Sequence, residues 1–123
     1  NSLQILNLAL KQHPQDTDLL YFRAMLYGSQ KQYAELEADL RNLLAIDPEH
    51  TDAQNALGYT LADLNKNLDE AQILIQAAYA KAPDNDAILD SMGWLQYRLG
   101  NYNKALFFIE KSYKMFVIRM LKK

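Results

Sequence analysis

The chain has 123 residues, half of them hydrophobic, which suits a single folded domain with a modest core. Its net charge of −2 argues against a general nucleic-acid binder, and the absence of cysteine excludes a disulfide framework and a thiol nucleophile. Four glycines and three prolines are too few for many strands and tight turns, whereas abundant Leu, Ala, Lys, Glu and Gln favour helix. No apolar run approaches the roughly eighteen residues of a transmembrane helix.

The prolines mark a period. Pro14 and Pro48 are 48 − 14 = 34 residues apart, and Pro48 and Pro83 are 83 − 48 = 35 residues apart. A fixed spacing in this range is typical of a repeat architecture. Aligned on these positions, the chain is predicted to form one helix followed by three helix pairs. The predicted segments are residues 1–13 (second helix of a preceding repeat), 14–47 (repeat 1), 48–82 (repeat 2), 83–116 (repeat 3) and 117–123 (an extension of the last helix).

The first two segments are the least regular. Residues 1–13 carry apolar residues at helical spacing. Asp16, in repeat 1, is placed to stabilise the start of the first helix, and Asp52 and Asp86 take the same place in the later repeats. In repeat 1, Gly28-Ser29 indicates where that first helix ends. Repeat 1 is the most divergent copy, because Ala24 takes the position at which the later copies have glycine.

Repeats 2 and 3 match each other closely. The segment 56–59, "ALGY", aligns with 91–94, "SMGW". Gly58 and Gly93 fall in the middle of a helix, where glycine costs about 1 kcal/mol relative to alanine. We expect a close approach between the two helices of each pair to offset this cost. Small residues of the second helix provide the matching clearance: Ala71, Ala78, Ala105 and Ser112.

These combined motifs resemble the tetratricopeptide repeat (TPR) family over essentially the whole chain. The resemblance implies an all-α fold, an α-α superhelix or solenoid of about seven antiparallel helices that comprises half a repeat and three repeats. Two features depart from the family pattern. Repeat 2 is one residue longer than the other repeats, and the extra residue falls in the turn between Leu64 and Leu68. The tryptophan that is usual early in the first helix is replaced by Leu20, Gln54 and Leu89.

A narrower resemblance concerns residues 55–71 and 84–106, which look like repeats in long TPR proteins of proteobacteria. Some of those proteins are lipoproteins at the periplasmic face of the outer membrane that act as scaffolds or protease adaptors. The resemblance therefore implies a piece of a longer bacterial array and favours the periplasm over the cytoplasm. The half-repeat start and the missing initiator methionine lead to the same expectation, a fragment or a processed product.

In TPR proteins the first helix of each repeat lines a concave groove, and recurring positions on that helix face a bound peptide. Aromatic residues beside a charged partner are typical peptide anchors. The resemblance therefore implies a non-enzymatic scaffold or adaptor that binds a protein segment in this groove. Carried onto this chain, the groove positions are Tyr21, Phe22, Met25 and Ser29 in repeat 1, Asn55, Tyr59 and Asp63 in repeat 2, and Asp90, Trp94, Tyr97 and Arg98 in repeat 3.

The same residues allow plainer interpretations. Trp94, Tyr97 and Tyr59 can equally be packed between helices, and Asp90 and Arg98 can form a simple surface ion pair. One TPR subclass holds a C-terminal carboxylate with Lys, Arg and Asn at groove positions. Among the groove positions of this chain only an asparagine in repeat 2 fits that pattern, so we predict no such clamp.

No catalytic or metal-binding constellation is visible in the sequence. His13 and His50 border turns in different repeats and have no ligand partner at helical spacing. The segment 84–86 lacks the glycine and the terminal glutamate of a calcium loop, so helix capping explains it better. The sequence therefore predicts a protein that is not an enzyme and uses no cofactor or metal.

The C-terminal segment "KSYKMFVIRMLKK" mixes apolar and basic residues. A basic helix at a membrane surface is one interpretation, but the apolar residues lie almost all round the helix. We expect instead that the last helix presents an apolar face that recruits a second copy, giving a homodimer. The residues predicted for this contact are Leu106, Phe107, Tyr113 and Phe116. The alternative to a peptide-binding scaffold is thus a structural section that self-associates and binds no peptide.

Overall fold

The computed structural model describes residues 1–123 and contains seven helices and no strand, which confirms the predicted all-α fold. None of the helices is both long enough and apolar enough to span a membrane. The chain divides into two compact units, residues 1–53 (the N-terminal unit) and residues 54–123 (the C-terminal unit). The helices are α1 (Ser2–Gln12), α2 (Thr17–Ser29), α3 (Tyr33–Ile46), α4 (Thr51–Asp63), α5 (Leu68–Lys81), α6 (Asp86–Arg98) and α7 (Tyr102–Leu121).

In the N-terminal unit, α2 packs against both α1 and α3. Ala24, at the repeat's glycine position, is fully buried. A Cβ atom on Gly28 would lie only 2.7 Å from Leu36 Cδ1. Helix α2 ends at Ser29, as the Gly28-Ser29 pair predicted, and Gly28 also allows a close approach of α2 and α3. The buried apolar residues are Leu10, Leu20, Ala24, Leu36, Leu40, Leu43 and Ala53.

A bidentate ion pair joins α2 to α3. Arg23 Nε donates to Asp39 Oδ2 at 2.8 Å, and Nη2 donates to Oδ1 at 2.6 Å. The Asp39 side chain is 5% exposed and that of Arg23 is 22% exposed. Arg23 Nη1 also donates to Asn7 Oδ1 on α1 at 3.0 Å, so one guanidinium connects three helices. The hydrogen bonding to Asp39 raises the pKa of Arg23 above its usual value.

In the C-terminal unit, α6 packs against both α5 and α7. A Cβ atom on Gly58 would lie 2.5 Å from Ile75 Cγ1 and 3.2 Å from the carbonyl oxygen of Ala71. The equivalent atom on Gly93 would lie 2.6 Å from the Cγ1 of Ile109. The close approach predicted at both glycines is confirmed. The buried apolar residues are Leu57, Leu61, Ala62, Ala71, Ile75, Ala78, Ile88, Leu89, Met92, Leu95 and Ala105.

The three turns within helix pairs share one backbone geometry. Lys31, Asn65 and Gly100 have positive φ values of 60°, 53° and 82°. In each turn, the residue after the left-handed one donates its backbone N–H to the carbonyl five residues earlier, at 2.8–2.9 Å. This bond ends the helix with a Schellman-type cap. The extra residue of repeat 2 is accommodated by a second left-handed residue, Asn67, at φ 47°.

Three different side chains cap the first helices of the repeats. Asp16, His50 and Asn85 each accept the backbone N–H three residues on, at 3.0–3.1 Å. Asp16 therefore caps α2 as predicted. Asp52 and Asp86 lie instead in the first turns of α4 and α6, where a carboxylate still interacts favourably with the helix dipole.

Candidate functional site

An aromatic cluster lies on α6 of the C-terminal unit and continues past the turn into α7. Trp94 and Tyr97, one turn apart, stack with ring centroids 5.3 Å apart and planes 13° apart. Tyr97 also contacts the ring of Tyr102 at 5.7 Å. Trp94 is half-buried, whereas Tyr97 is 47% exposed and Tyr102 is 65% exposed. The cluster thus combines a packed tryptophan with two tyrosines that solvent reaches.

Sequence reasoning placed Trp94 and Tyr97 at the groove but missed Tyr102. The glycine in the left-handed conformation at position 100 reverses the chain, and this brings Tyr102 back beside Tyr97. The available signal was the position of Tyr102 directly after the Gly100-Asn101 turn.

Arg98 lies against Trp94, with its Cζ 4.8 Å from the centre of the indole ring. Its Nη2 donates to the carbonyl of Asp63, the last residue of α4, at 2.9 Å. A cation at the C-terminal end of a helix stabilises an otherwise unpaired carbonyl and the helix dipole. The surface pair with Asp90 does not form, because Asp90 lies about two turns earlier on α6 and remains exposed.

Among the predicted groove residues of the C-terminal unit, three side-chain atoms are buried without a hydrogen-bond partner. They are the donors Trp94 Nε1 and Arg98 Nε and the acceptor Asn55 Oδ1. Each such atom costs about 1–3 kcal/mol relative to a hydrogen-bonded one. All three belong to half-buried side chains on first helices of the repeats. Of the other predicted groove residues in this unit, Tyr59 is 39% exposed and Asp63 is half-buried.

The N-terminal unit holds four of the predicted groove residues: Tyr21, Phe22, Met25 and Ser29. Tyr21 is half-buried and stacks on His50, with ring centroids 5.8 Å apart. Burial raises the pKa of Tyr21, and the negative charge of Asp52 raises it further. Met25 is half-buried, whereas Phe22 is 60% exposed. Tyr21 therefore has a packing role, whereas Phe22 is a predicted groove residue whose apolar side chain is exposed to solvent.

Two polar residues singled out in the sequence have structural partners. His50 Nδ1 accepts the N–H of Ala53 at 3.0 Å, so this nitrogen carries no proton in the capped state. Ser29 Oγ donates to the carbonyl of Leu26 in its own helix at 2.7 Å. No group of three or more His, Cys, Asp and Glu side chains is placed to hold a metal ion.

Helix α7 continues without a break for 20 residues, past the end predicted for repeat 3. Its second half is attached to the start of α6. Arg119 Nη2 lies 2.8 Å from Asp86 Oδ2, and Ser112 Oγ donates to the carbonyl of Asp86 at 2.7 Å. The residues predicted for self-association are all exposed, to between 43% and 69%: Leu106, Phe107, Tyr113 and Phe116.

Comparison with known proteins identifies the repeat. A family model described as tetratricopeptide repeat matches residues 17–50, which lie mostly in the most divergent copy. A TPR repeat-containing protein of Pseudomonas aeruginosa is 47% identical over 102 residues, which is 83% of this chain and 17% of that protein. Bacteriophage adsorption protein A of Escherichia coli is 27% identical over 77 residues, 63% of this chain and 8% of that protein. This chain spans less than a fifth of the length of either relative.

Solved structures share the fold. Two structures of MamA superpose on 92% of this chain with TM-scores of 0.74 and 0.71, at sequence identities of 18% and 17%. This chain covers 66% and 64% of the respective MamA chains. At such low identity, the likeness establishes the arrangement of helices and nothing about what is bound.

Proposed function

Because this chain carries tetratricopeptide repeats, which generally serve as protein-interaction scaffolds, we propose that its C-terminal unit binds an extended segment of a partner protein. The site comprises the exposed faces of α4 and α6, with Tyr59, Trp94 and Tyr97 as its anchors. The observation that carries the proposal is the stacked cluster on α6, whose outer tyrosine is 47% exposed. No cofactor and no catalysis are part of this function.

The unpaired polar atoms support a peptide as the ligand. An extended backbone presents both carbonyl acceptors and N–H donors. The carbonyls complement the donors Trp94 Nε1 and Arg98 Nε, and the N–H groups complement Asn55 Oδ1. The three side chains are half-buried, so part of each meets solvent. Phe22 of the N-terminal unit, 60% exposed, is a separate apolar contact, and the half-buried Tyr21 and Met25 lie on the same helix.

Peptide binding can be measured with the chain's only tryptophan as the reporter. A peptide selected from a random display library on the immobilised chain is titrated while Trp94 emission is recorded. We expect Tyr97→Ala and Tyr59→Ala each to weaken binding by about 1–3 kcal/mol, the loss typical of an aromatic anchor. Trp94→Ala should do the same, measured by calorimetry because the reporter is removed.

Tyr33→Ala is the matched control, since Tyr33 on α3 is 36% exposed and Tyr59 is 39% exposed. It should leave the affinity unchanged. Equal binding by all variants, with helical circular dichroism retained, would place the site elsewhere. Loss of helicity in Trp94→Ala would instead assign that residue to packing.

We also propose that the chain associates with itself through α7. The supporting observation is that four large apolar side chains on one helix, Leu106, Phe107, Tyr113 and Phe116, are at least 43% exposed. Exposed apolar surface of this extent usually marks an interaction site. Light scattering at roughly 100 μM should report a mass above the 14.2 kDa of one chain. A monomer at that concentration contradicts the proposal, because an interface of about 1,200 Å² or more would hold.

A further inference from the structure

Six of the exposed residues on α7 form one continuous seam. They recur at alternating intervals of four and three residues, the 3.5-residue period of a coiled-coil contact. Their exposed fractions run from 37% to 69%. The residues of the seam are Tyr102, Leu106, Ile109, Tyr113, Phe116 and Met120.

The seam is symmetric about residue 111. An antiparallel copy of α7, related by a two-fold axis at that level, would place Tyr102 against the partner's Met120, Leu106 against the partner's Phe116, and Ile109 against the partner's Tyr113. Every layer then opposes one aromatic and one aliphatic side chain, so large and small groups alternate along the contact. We propose that this seam is covered by the same helix of a second copy in this antiparallel register, an inference that rests on the proposed self-association.

The available surface is sufficient for a stable pair. Aromatic side chains bury about 150–250 Å² each, and we take about 200 Å² for every seam residue. At the exposed fractions above, the six seam residues offer roughly 600 Å² per copy, and a pair would bury about 1,200 Å², the lower end of stable interfaces. An open groove beside the seam, lined by Asp86, Asp90, Ile109, Tyr113 and Phe116 among others, leaves room for side chains of the second copy.

The charges of α7 also permit pairing with itself. Successive residues of an α-helix are rotated by about 100°, which places three lysines on the side of α7 opposite the seam, pointing away from a second copy: Lys104, Lys111 and Lys122. Arg119 is paired with Asp86 of its own chain. On the side of the seam that faces away from α6, the nearest charged residues are Glu110 and Lys114, which have opposite signs. A helix rich in basic residues can therefore meet its copy without a concentration of like charge at the interface.

Two residues of α7 provide the test. Leu106 on the seam is 56% exposed, and Ile118, which lies on the opposite side of the helix, is 36% exposed. We expect Leu106→Glu to raise the dimer dissociation constant at least tenfold in sedimentation equilibrium, and Ile118→Glu to leave it nearly unchanged. A dimer that both variants weaken equally, or that neither weakens, overturns the seam but leaves self-association standing. A monomeric parent chain overturns both.

The register can be tested with introduced cysteines, because the chain has none of its own. Chains carrying Tyr102→Cys and chains carrying Met120→Cys are mixed and treated with a short bis-maleimide. The antiparallel seam predicts crosslinked heterodimers in the mixture and little crosslinking in either variant alone. Crosslinking of each variant with itself would show a parallel pair, and crosslinking of neither the mixture nor the single variants would remove α7 from the interface. Both results overturn the proposed register.

Discussion

Replacement of Arg23 by alanine is expected to lower the free energy of unfolding by about 3–5 kcal/mol, the usual cost of removing one partner of a buried ion pair. Without the guanidinium, the Asp39 carboxylate, whose side chain is 5% exposed, loses both of its bidentate hydrogen bonds. The link from α2 to Asn7 on α1 is lost as well. Urea unfolding followed by circular dichroism measures the change.

The reciprocal variant separates the cost of leaving a buried carboxylate unpaired from the loss of the attraction between Arg23 and Asp39. Asp39→Ala leaves Arg23 with a 22% exposed side chain and its bond to Asn7, so a smaller loss is expected. Arg41→Ala is the matched control, since Arg41 pairs with Glu37 one turn away on α3 while its side chain is 40% exposed. Such an exposed pair contributes about 0.3–0.5 kcal/mol. Equal losses for Arg23→Ala and Arg41→Ala would show that burial of the Asp39 pair has no energetic consequence.

Gly58→Ala is expected to destabilise the chain by about 1–3 kcal/mol, although alanine is the better helix former by about 1 kcal/mol. The added Cβ would meet Ile75 Cγ1 at 2.5 Å and the carbonyl oxygen of Ala71 at 3.2 Å. Ile75 is fully buried and cannot move away without displacing its neighbours. Thermal unfolding should therefore give a lower midpoint for the variant.

Gly93→Ala is the control that isolates the role of the neighbour. Its added Cβ would meet Ile109 at 2.6 Å, a nearly identical distance, but Ile109 is 43% exposed in the single chain and can rotate toward solvent there. Thermal unfolding of both variants is therefore measured at low concentration. The loss at Gly93 should be smaller than at Gly58. A Gly58→Ala variant as stable as the parent, or more stable, would contradict a close contact between α4 and α5.

Much of the fold could be predicted from local features. The spacing of Pro14, Pro48 and Pro83 led to the correct number of helices, because each proline follows a helix that cannot continue through it. Gly58 and Gly93 predicted the close approach of paired helices, because a mid-helix glycine is unfavourable unless a neighbour needs the space. These inferences required only periodicity and the steric properties of single residues.

The site was predicted less completely, because its partners are distant in sequence. Trp94 and Tyr97 are one turn apart on one helix, and their proximity followed from helical spacing. The partner of Arg98 did not follow. The guanidinium donates to the carbonyl of Asp63, 35 positions earlier, rather than pairing with Asp90 on its own helix. No side-chain pattern marks a backbone carbonyl as a partner.

The sequence by itself determined the helices, their period and the positions at which paired helices approach each other. Hydrophobic spacing and the lack of a glycine side chain can both be recognised within one or two turns of a single helix. Only the tertiary structure decided which polar groups pair. Arg23 meets Asp39 across two helices, and His50 rather than Asp52 caps α4. The tertiary structure also left the α7 seam exposed. A hydrogen bond forms only when donor and acceptor lie within about 3 Å of each other in a suitable orientation. Packing sets those distances, and it depends on all the side chains between the helices together.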